Sequence, residues 1–387
     1  MDWEEHVLKN LGLYLHIPFC KSKCLYCDFC SFPHPSEERI AAYVDALCRD
    51  MEKRASDCRN YEVDTIYLGG GTPTILSAEQ LERILETLAR CYHLSSSAEI
   101  TAECNPATGG LDLFRRMRAA GFNRLSIGLQ STHREELRAL GRLHTFEQFL
   151  STWEAAHDAG FSNLSADVMF GIPHQTCESF AKTLDKVIRC GPTHLSAYAL
   201  AVEEGTPFGK RGEAALDLPD EESTRAMYLN MVACLNDAGL CQYEISNFAR
   251  TGYESRHNLK YWSMDPYLGF GPAAYSDFEG VRFGNGRDVE AYIRGEEIVS
   301  DMETPSADER MNEYVMLRMR LADGISLSEL GTRFGEEAAC RIRTSLEKYM
   351  PGGFVRATAD GFAFTPKGFL VSNTILSEIL DFGEADL

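Results

Sequence analysis

The sequence is short of positive charge. Its 387 residues include 38 Lys and Arg against 58 Asp and Glu, which gives a formal net charge of −20 at pH 7. Binding to the phosphates of a nucleic acid, or to an anionic membrane surface, requires a basic face. We therefore expect no nucleic-acid partner and no docking on anionic lipid.

Long apolar segments are also absent. No uninterrupted apolar run approaches the roughly 20 residues that a membrane-spanning helix needs. The first ten residues, MDWEEHVLKN, lack the basic and apolar regions of a signal peptide. The 13 cysteines do not form the dense pattern of a small secreted disulfide protein. These features together predict a soluble protein of the reducing cytoplasm.

Three cysteines stand close together. Cys20, Cys24 and Cys27 have the spacing C-x3-C-x2-C directly after an apolar run at residues 13–17. Iron–sulfur clusters are normally held by four thiolates, so three thiolates could hold three irons of a [4Fe–4S] cluster and leave one iron open. Two alternatives stay open. With Cys30, four cysteines could form a closed zinc or cluster site. The cysteines could also all be reduced core residues.

Runs of residues typical of β-strands alternate with amphipathic helical segments through most of the chain. The strand-like runs are residues 13–17, 65–68, 99–103, 124–130, 163–170 and 194–200. Ser77 followed by Gln80 predicts a capping box that opens a helix over residues 78–91. Such alternation implies a parallel sheet with right-handed crossovers, and six units fit an open (β/α)6 partial TIM barrel. The cysteine loop leaves the first strand at its carboxyl end, where parallel barrels carry their chemistry.

Beyond residue 300 the pattern changes. It predicts helices over 307–321, 326–333 and 336–349, a hairpin from 353–356 and 362–365, and a last helix over 367–380. Such a domain resembles a winged helix, but its nine Lys and Arg against fifteen Asp and Glu argue against DNA binding. We predict a core domain at 1–240, a connecting segment at 241–300 and an α+β cap or docking domain at 301–387.

The segment CKSKCLYC resembles the cluster loop of the radical S-adenosylmethionine (SAM) superfamily, C-x3-C-x-aromatic-C, with Tyr26 as the aromatic residue. The resemblance implies a [4Fe–4S] cluster on Cys20, Cys24 and Cys27, with Cys30 as a non-ligand. It also implies that the open iron binds the amine and carboxylate of SAM. An electron donor would then reduce the cluster, which splits SAM into methionine and a 5′-deoxyadenosyl radical.

A set of further residues matches SAM contacts of one branch of this superfamily. Gly70, Gly71 and Thr72 lie in a GGGTP turn that resembles the segment holding the amine of SAM. A carboxylate can hold ribose hydroxyls and an arginine can pair with the carboxylate of the cofactor. Taken singly, each residue could equally be a solvated strand end. The remaining residues that the resemblance implies for SAM binding are Tyr14, Tyr26, Phe29, Glu103, Gln130, Arg142 and Asp167.

The branch is the family of oxygen-independent coproporphyrinogen III oxidases and the related HemW-type haem chaperones. Its motifs here are YLHIPFC, GGGTP, GFNRLSIGLQS, DVMFGIP, YEISNFAR and RHNLKYW. Three features separate the two groups. Phe29 stands where the oxidases carry another cysteine, only about ten residues precede the first strand where the oxidases have a long arm, and residues 257–262 match the HNxxYW signature of the chaperones.

In the chaperones this signature is proposed to bind haem, which implies His257 as an axial ligand and Tyr261 and Trp262 as flat apolar surface. A buried aromatic cluster is the alternative. Tyr275 replaces a histidine common in those relatives, which leaves a second haem ligand open. We expect a chaperone that passes haem to an acceptor, such as a membrane respiratory protein met transiently. The alternative is a coproporphyrinogen III oxidase, and the acidic charge disfavours a third reading, an RNA-modifying enzyme.

Overall fold

The computed structural model describes residues 8–106 and 108–380. The first seven residues, on which the expectations about a signal peptide and a short N-terminal arm partly rest, lie outside the described residues. Residues 381–387 of the predicted C-terminal domain lie outside them as well. Within the described ranges, no helix is both long enough and apolar enough to cross a membrane.

Strands and helices alternate along the chain as the sequence predicts. The strands are β1 Lys9–Ile17, β2 Phe19–Cys20, β3 Phe32–Pro33, β4 Tyr61–Gly70, β5 His93–Cys104, β6 Arg124–Gln130, β7 Asn163–Phe170, β8 His194–Ala199, β9 Cys241–Glu244, β10 Asn247–Ala249, β11 Tyr267–Phe270, β12 Tyr275–Phe278, β13 Val281–Asn285, β14 Val299–Glu303, β15 Ile325–Ser326, β16 Val355–Ala357 and β17 Gly361–Phe364. The helices are α1 Glu37–Arg54, α2 Ala78–Cys91, α3 Leu111–Ala120, α4 Arg134–Ala139, α5 Phe146–Asp158, α6 Cys177–Arg189, α7 Pro207–Arg211, α8 Glu221–Asp237, α9 Arg256–Ser263, α10 Val289–Arg294, α11 Ala307–Arg318, α12 Leu327–Phe334, α13 Glu336–Glu347, α14 Pro366–Leu370 and α15 Ser372–Ile379.

Six parallel strands, β1 and β4 to β8, form the centre of a 12-stranded sheet. The order is linear, β14-β13-β12-β11-β1-β4-β5-β6-β7-β8-β10-β9, so the sheet is an open barrel and not a closed ring. This confirms the predicted (β/α)6 architecture. Residues 241–303 extend the sheet at both edges, so the predicted connecting segment adds strands to it. The three-part domain division stays a prediction.

The two faces of the barrel strands differ in polarity. On β6, Leu125, Ile127 and Leu129 are fully buried against the surrounding helices. The alternate residues Arg124 and Ser126 point to the inner face. Because side chains alternate along a strand, the helices cover an apolar outer face while the inner face carries polar groups. That polar inner face is where a site can form.

Local sequence signals set the helix bounds. Helix α2 starts at a capping box in which Ser77 Oγ accepts from Gln80 N at 3.3 Å and Ser77 N donates to Gln80 Oε1 at 2.8 Å. Such a cap stabilises a helix by about 1 kcal/mol, and the predicted bounds 78–91 are confirmed. The helix buries its apolar stripe, Leu81, Ile84, Leu85 and Leu88, against the sheet.

The C-terminal part has the predicted three helices and hairpin, with a small sheet of order β15-β17-β16. Two predictions were wrong in detail. The first helix ends at Arg318 rather than at residue 321, and the last predicted helix, 367–380, is broken at Val371 into α14 and α15. Gly368 packs so closely on Phe354 that a Cβ would lie 2.0 Å from its carbonyl oxygen. Val371, with φ −122° and ψ 18°, lies outside the helical range, and α15 after it buries Ile375 and Leu376.

Candidate functional site

A cavity of about 640 Å³ opens at the carboxyl ends of the barrel strands. It is bordered by Gly70, Cys104 and Gln130, the last residues of β4, β5 and β6. From there it reaches along the inner face to Arg124. The structure brings thirteen of the sequence-predicted residues to this one cavity. They are Tyr14, Cys20, Cys24, Tyr26, Cys27, Phe29, Gly70, Gly71, Thr72, Glu103, Gln130, Arg142 and Asp167.

The cysteine loop follows β1 and is held by backbone hydrogen bonds at its middle. Leu25 N donates to Leu140 O at 3.0 Å, and Leu25 O accepts from Phe208 N at 3.0 Å. Cys27 N donates to Cys24 O at 3.3 Å, which closes a turn between two of the thiols. These bonds tie the loop to two other parts of the chain and fix its cysteines at the mouth of the cavity.

The three thiols suit an iron–sulfur cluster by their chemistry. Burial raises the pKa of Cys20 and of Cys27, which favours their neutral thiols, and bound iron would offset this by stabilising the thiolates. Arg142 Nη1 lies 3.4 Å from Cys24 Sγ, and Thr72 Oγ1 lies 3.6 Å from Cys20 Sγ. Such donors next to the sulfurs stabilise negative charge on them. The residues present therefore fit a three-cysteine cluster.

Cys30 lies in a different setting, although it also borders the cavity. Its Sγ lies 3.7 Å from the carbonyl oxygen of Arg287, and its own carbonyl accepts from His16 Nε2 at 2.7 Å. Among the described residues, no three His, Cys, Asp or Glu side chains lie close enough together to hold one metal ion, and this includes the three loop cysteines. A [4Fe–4S] cluster takes each thiolate on a different iron, so its ligands do not need to meet at one ion. The arrangement does not match a closed zinc site on four cysteines.

The glycine turn after β4 is shaped by close contacts. Gly70 has φ +101°, and a Cβ there would lie 2.3 Å from the His16 ring. The N–H groups of Gly70, Gly71 and Thr72 donate to Glu103 Oε2, Ile17 O and Phe19 O. Because these donors are used internally, a ligand group held here would itself be a donor, as an amine is.

Glu103 and Gln130 show the strain and burial that mark functional sites. Burial raises the pKa of Glu103 to about 7, although the Tyr67 hydroxyl donates to its carboxylate at 2.9 Å. Gln130 has φ +69° and follows a register shift between β6 and β7 at Gly128. A bulge next to a cavity commonly re-aims a side chain, and here it turns Gln130 toward the cavity.

Asp167 ends a chain of hydrogen bonds whose direction the geometry determines. Its carboxylate accepts from Ser126 Oγ at 2.9 Å and from Ser165 Oγ at 3.1 Å. Ser165 thereby uses its single hydrogen, so its 2.8 Å contact with His194 requires that Nδ1 of His194 carry a hydrogen. Burial lowers the pKa of His194 well below its usual value. The ring is therefore neutral, and Nε2 accepts from the Tyr243 hydroxyl at 2.8 Å.

This chain of hydrogen bonds affects the charge of Asp167. Every donor in it points toward the carboxylate, from Ser255 N at 3.2 Å from the Tyr243 hydroxyl, through His194, to Ser165. Burial raises the pKa of Asp167, and the bond from Ser126 opposes that rise. Aligned donors strengthen one another in a buried network, so the chain stabilises the ionised carboxylate at the cavity.

Arg142 joins the cluster loop to the barrel. Besides its contact with Cys24, it donates to the carbonyl oxygen of Gly128. A Cβ on Gly128 would lie 3.0 Å from Arg142 Nη2, so the glycine makes room for the guanidinium. Its buried Nε has no hydrogen-bond partner among the described residues. An arginine with one donor unused beside a cavity can accept an anionic ligand.

The structure does not bring the predicted haem-binding residues to this cavity. His257 is 1% exposed, with Nδ1 at 2.9 Å from Thr65 Oγ1 and Nε2 at 2.8 Å from the Tyr261 hydroxyl. Burial lowers its pKa to about 3. Trp262 is half-buried on the same helix, α9. In this conformation neither nitrogen of His257 is free to bind iron, so haem ligation by these residues stays a prediction.

Sequence analysis missed several polar residues of the inner face. They are Arg124, Ser126, Ser165, His194 and Tyr243. The first four lie on predicted strands at the alternate positions that face away from the helices. A period-2 analysis of β6 to β8 could have found them. Tyr243 lies on β9 after the core strands, and no local pattern marks it.

Comparison with known proteins decides the family. Residues 14–187 match the model of the radical SAM superfamily, and residues 306–371 match that of the HemN C-terminal domain. The chain is 33% identical to the heme chaperone HemW of Escherichia coli (strain K12), over 96% of this chain and 99% of that protein. It is 32% identical to the heme chaperone HemW of Bacillus subtilis (strain 168), over 95% and 98%. The chain belongs to the HemW family.

The fold of this HemW-family protein is also that of a solved structure. Coproporphyrinogen III oxidase (HemN) from Escherichia coli, a radical SAM enzyme, superposes with a TM-score of 0.83. The match covers 97% of this chain and 91% of that chain at 24% identity. At this identity the likeness concerns the fold, and it confirms the barrel with its C-terminal α+β part. The protein is a radical SAM protein, and this membership implies a [4Fe–4S] cluster and SAM.

Proposed function

We propose that this HemW-family protein is a haem chaperone, which binds haem and delivers it to an acceptor protein. The observation that carries the proposal is the similarity to two proteins named heme chaperone HemW over 98% and 99% of their lengths. Phe29, which stands where the oxidase branch has a further cysteine, supports the same assignment. The acceptor would be met transiently in the cytoplasm, and a membrane respiratory protein is the kind of acceptor that we expect.

In this proposal Cys20, Cys24 and Cys27 hold the cluster and SAM binds across the cavity. When bound, the cluster and SAM supply one-electron chemistry, for which the protein needs an electron donor. The contribution of this chain is position and charge. Glu103 and Asp167 would accept hydrogen bonds from ribose hydroxyls, Arg142 would pair with the SAM carboxylate, and the turn 70–72 would hold its amine.

The haem site of the proposal is the segment 257–262. For His257 to bind iron, its ring must first leave the Tyr261 hydroxyl or Thr65, and α9 must move outward. A closed site of this kind would bind haem in competition with its own hydrogen bonds. Tyr261→Phe keeps the flat ring and removes the competing hydroxyl, so it makes a matched partner for His257→Ala.

The two variants test the haem site directly. We expect His257→Ala to weaken haem binding about tenfold or more, and Tyr261→Phe to leave it unchanged or to strengthen it. Absorbance titration of the full chain with haem, under anaerobic conditions, measures both. Unchanged affinity in His257→Ala would show that haem binds elsewhere on the protein.

The function itself is tested with the reconstituted protein, SAM, a reductant and coproporphyrinogen III, under anaerobic conditions. We expect the substrate to remain intact by mass spectrometry, while the same sample binds haem and passes it to an apo-acceptor. Loss of two carboxyl groups per substrate would identify an oxidase and overturn the chaperone proposal. The sample must bind SAM and have a reducible cluster, which visible absorbance and equilibrium dialysis verify.

A further inference from the structure

A second groove, of about 1180 Å³, lies apart from the cavity at the carboxyl ends of the strands. One side is formed by residues of the segment 213–225, which leads into α8, and the other by Leu370 and Val371, where α14 ends and α15 begins. Among the described residues it shares no lining residue with the cavity. It therefore lies outside the proposed cluster and SAM site.

The groove exposes apolar surface. Leu370 and Val371 are large apolar side chains, and each is 37% exposed. Leu218 and Pro219 line the same groove and are half-buried. Apolar surface in water is unfavourable by about 25 cal/mol per Å² relative to its burial. Apolar surface gathered in a groove and rimmed by polar residues is typical of a contact site for another protein.

The rim of the groove is acidic. Arg225 is the one Lys or Arg among the described residues that line it, and its Nη2 lies 3.6 Å from a carboxylate oxygen of Glu222. An occupant must therefore bring positive charge as well as apolar side chains. The carboxylates that line the groove are Glu213, Asp217, Asp220, Glu221 and Glu222.

Three of these carboxylates have roles inside the protein, and two are available. Asp220 caps α8 by accepting from Ser223 N at 2.7 Å, Asp217 pairs with His174 at 2.7 Å, and Glu222 pairs with Arg225. In the described ranges, Glu213 and Glu221 are exposed and take part in no ion pair. Their charge is therefore directed at solvent or at a partner.

Charge argues against an occupant from this chain. Residues 1–7 and 381–387, at the two ends, each contain three Asp or Glu and no Lys or Arg. A second copy of the chain would bring a formal net charge of −20 toward an acidic rim. Like charges that meet across an interface disfavour association. The groove is therefore complementary to a partner of the opposite charge.

We propose that this groove docks a segment of a partner protein in which Lys or Arg residues alternate with apolar residues. The basic side chains pair with Glu213 and Glu221, and the apolar ones cover Leu370 and Val371. Cytoplasmic loops of membrane proteins carry an excess of Lys and Arg, so the groove fits such a loop of a membrane-bound haem acceptor. The identity of the partner as a haem acceptor rests on the proposed function.

The test uses a labelled synthetic peptide of Lys and Leu residues and the full-length reconstituted protein, with fluorescence anisotropy as the measurement. The wild type should bind this peptide, and Glu213→Lys/Glu221→Lys should bind it about tenfold or more weakly. Leu370→Ser should weaken binding of the Lys–Leu peptide but not of a peptide with Ser in place of Leu. A peptide with Glu in place of Lys should not bind.

A matched control separates the groove from net charge. Glu337→Lys/Glu347→Lys changes the net charge equally on α13, which does not line the groove, and should keep the wild-type affinity. Equal affinity in the wild type and Glu213→Lys/Glu221→Lys would overturn the proposal, and so would equal losses in the two double variants. Sedimentation of a dimer that only the groove variant loses would assign the groove to a second copy and overturn it as well.

Failure of folding and failure of the proposed function remain distinguishable. If Glu213→Lys/Glu221→Lys does not fold, Glu213→Gln/Glu221→Gln removes the two charges without reversing them and should still weaken peptide binding; unchanged binding would overturn the proposal. Haem titration of the wild type is made in parallel. If the wild type binds no haem, the chaperone function fails, and the peptide series alone decides whether the groove docks a basic segment.

Discussion

The two motifs that the sequence singles out for binding end in opposite states. The cysteine loop 20–27 lies open at the carboxyl ends of the strands, with its thiols bordering the cavity. The segment 257–262 lies against the other half of β1 and β4, where His257 uses both ring nitrogens and Lys260 pairs with Asp64 at 2.8 Å. The thiols of the first motif border the cavity, with one donor contact each at Cys20 and Cys24, whereas both imidazole nitrogens of the second are hydrogen-bonded inside the protein.

The difference teaches that residue type alone does not make a binding site. A thiol, an imidazole or an ammonium group is available for a ligand only if the fold leaves its polar atoms without internal partners. Gly12, on β1, shows how closely the segment 257–262 packs against that strand, since a Cβ at Gly12 would lie 2.8 Å from Lys260 Cδ and 3.3 Å from His257. We call the cysteine loop 20–27 the open end and the segment 257–262 the closed end. The following experiments test whether the open end binds a cluster and whether the closed end is structural.

The largest effect is expected at the open end. Cys24→Ala should remove most of the cluster iron after anaerobic reconstitution, because two thiolates cannot hold the three irons that the site requires. Iron and sulfide analysis with visible absorbance measures it. Cys30→Ala is the matched control and should keep its iron, since Cys30 Sγ contacts the Arg287 carbonyl. Equal iron in wild type and Cys24→Ala would contradict the assignment of the loop.

In the segment 257–262, Lys260→Met should cost about 1–3 kcal/mol of unfolding free energy, because it removes the 2.8 Å partner of the largely buried Asp64 and leaves only Arg256 Nη2, at 3.6 Å. Lys260 is 4% exposed in this pair. Lys53→Met is the control, since its pair with Glu297 is exposed and exposed pairs contribute about 0–1 kcal/mol. Urea unfolding measures both. A loss below about 1 kcal/mol for Lys260→Met would mean that this end is looser than its contacts indicate.

The cavity should also make stability depend on pH through Glu103. Its pKa is about 7 in the fold and 4.5 in an open chain, so the folded protein holds a proton that the unfolded chain lacks between these values. The unfolding free energy should therefore fall as pH rises from about 4.5 to about 7, by roughly 3 kcal/mol from this group.

Glu103→Gln should remove that part of the pH dependence. The measurement is urea unfolding of wild type and variant at pH 5 and at pH 7.5, compared as a difference of differences. Glu244→Gln is a useful counterpart, because burial raises the pKa of Glu244 to about 7 as well and its share should persist in Glu103→Gln. The same slope in wild type and Glu103→Gln would show that Glu103 is ionised throughout.

The smallest effect concerns the hydrogen bonds that lead from Tyr243 through His194 and Ser165 to Asp167 at the cavity. Tyr243→Phe removes the hydrogen bond to His194 Nε2, which should cost about 1 kcal/mol of stability and weaken SAM binding a few-fold through Asp167. Tyr253→Phe serves as control. Urea unfolding and equilibrium dialysis with SAM measure the two effects. Full SAM affinity in Tyr243→Phe, together with the loss of stability, would show that these hydrogen bonds have only a structural role.

The barrel strands and the helix over 78–91 could be predicted because their signals are local. Strand-like apolar runs and the Ser77–Gln80 cap act within a few residues, and β6, β7 and α2 have the predicted bounds. The predictions for β1, β4 and β5 were too short, because these strands begin four to six residues earlier. The break at Val371 could not be predicted in this way. Val371 lies outside the helical range, with φ −122° and ψ 18°, and residues 369–375 contain no proline or glycine that would signal a break.

The candidate site shows the same division between features that local sequence signals predict and features that depend on the tertiary structure. The sequence by itself determined the superfamily loop, the parallel strands and hence the edge at which Cys20, Glu103 and Asp167 meet, because parallel strands bring their carboxyl ends together. Only the tertiary structure decided which groups there have partners. It closed His257 with Thr65 and Tyr261 and aligned the donors behind Asp167, since each of these outcomes depends on contacts between segments that are distant in sequence.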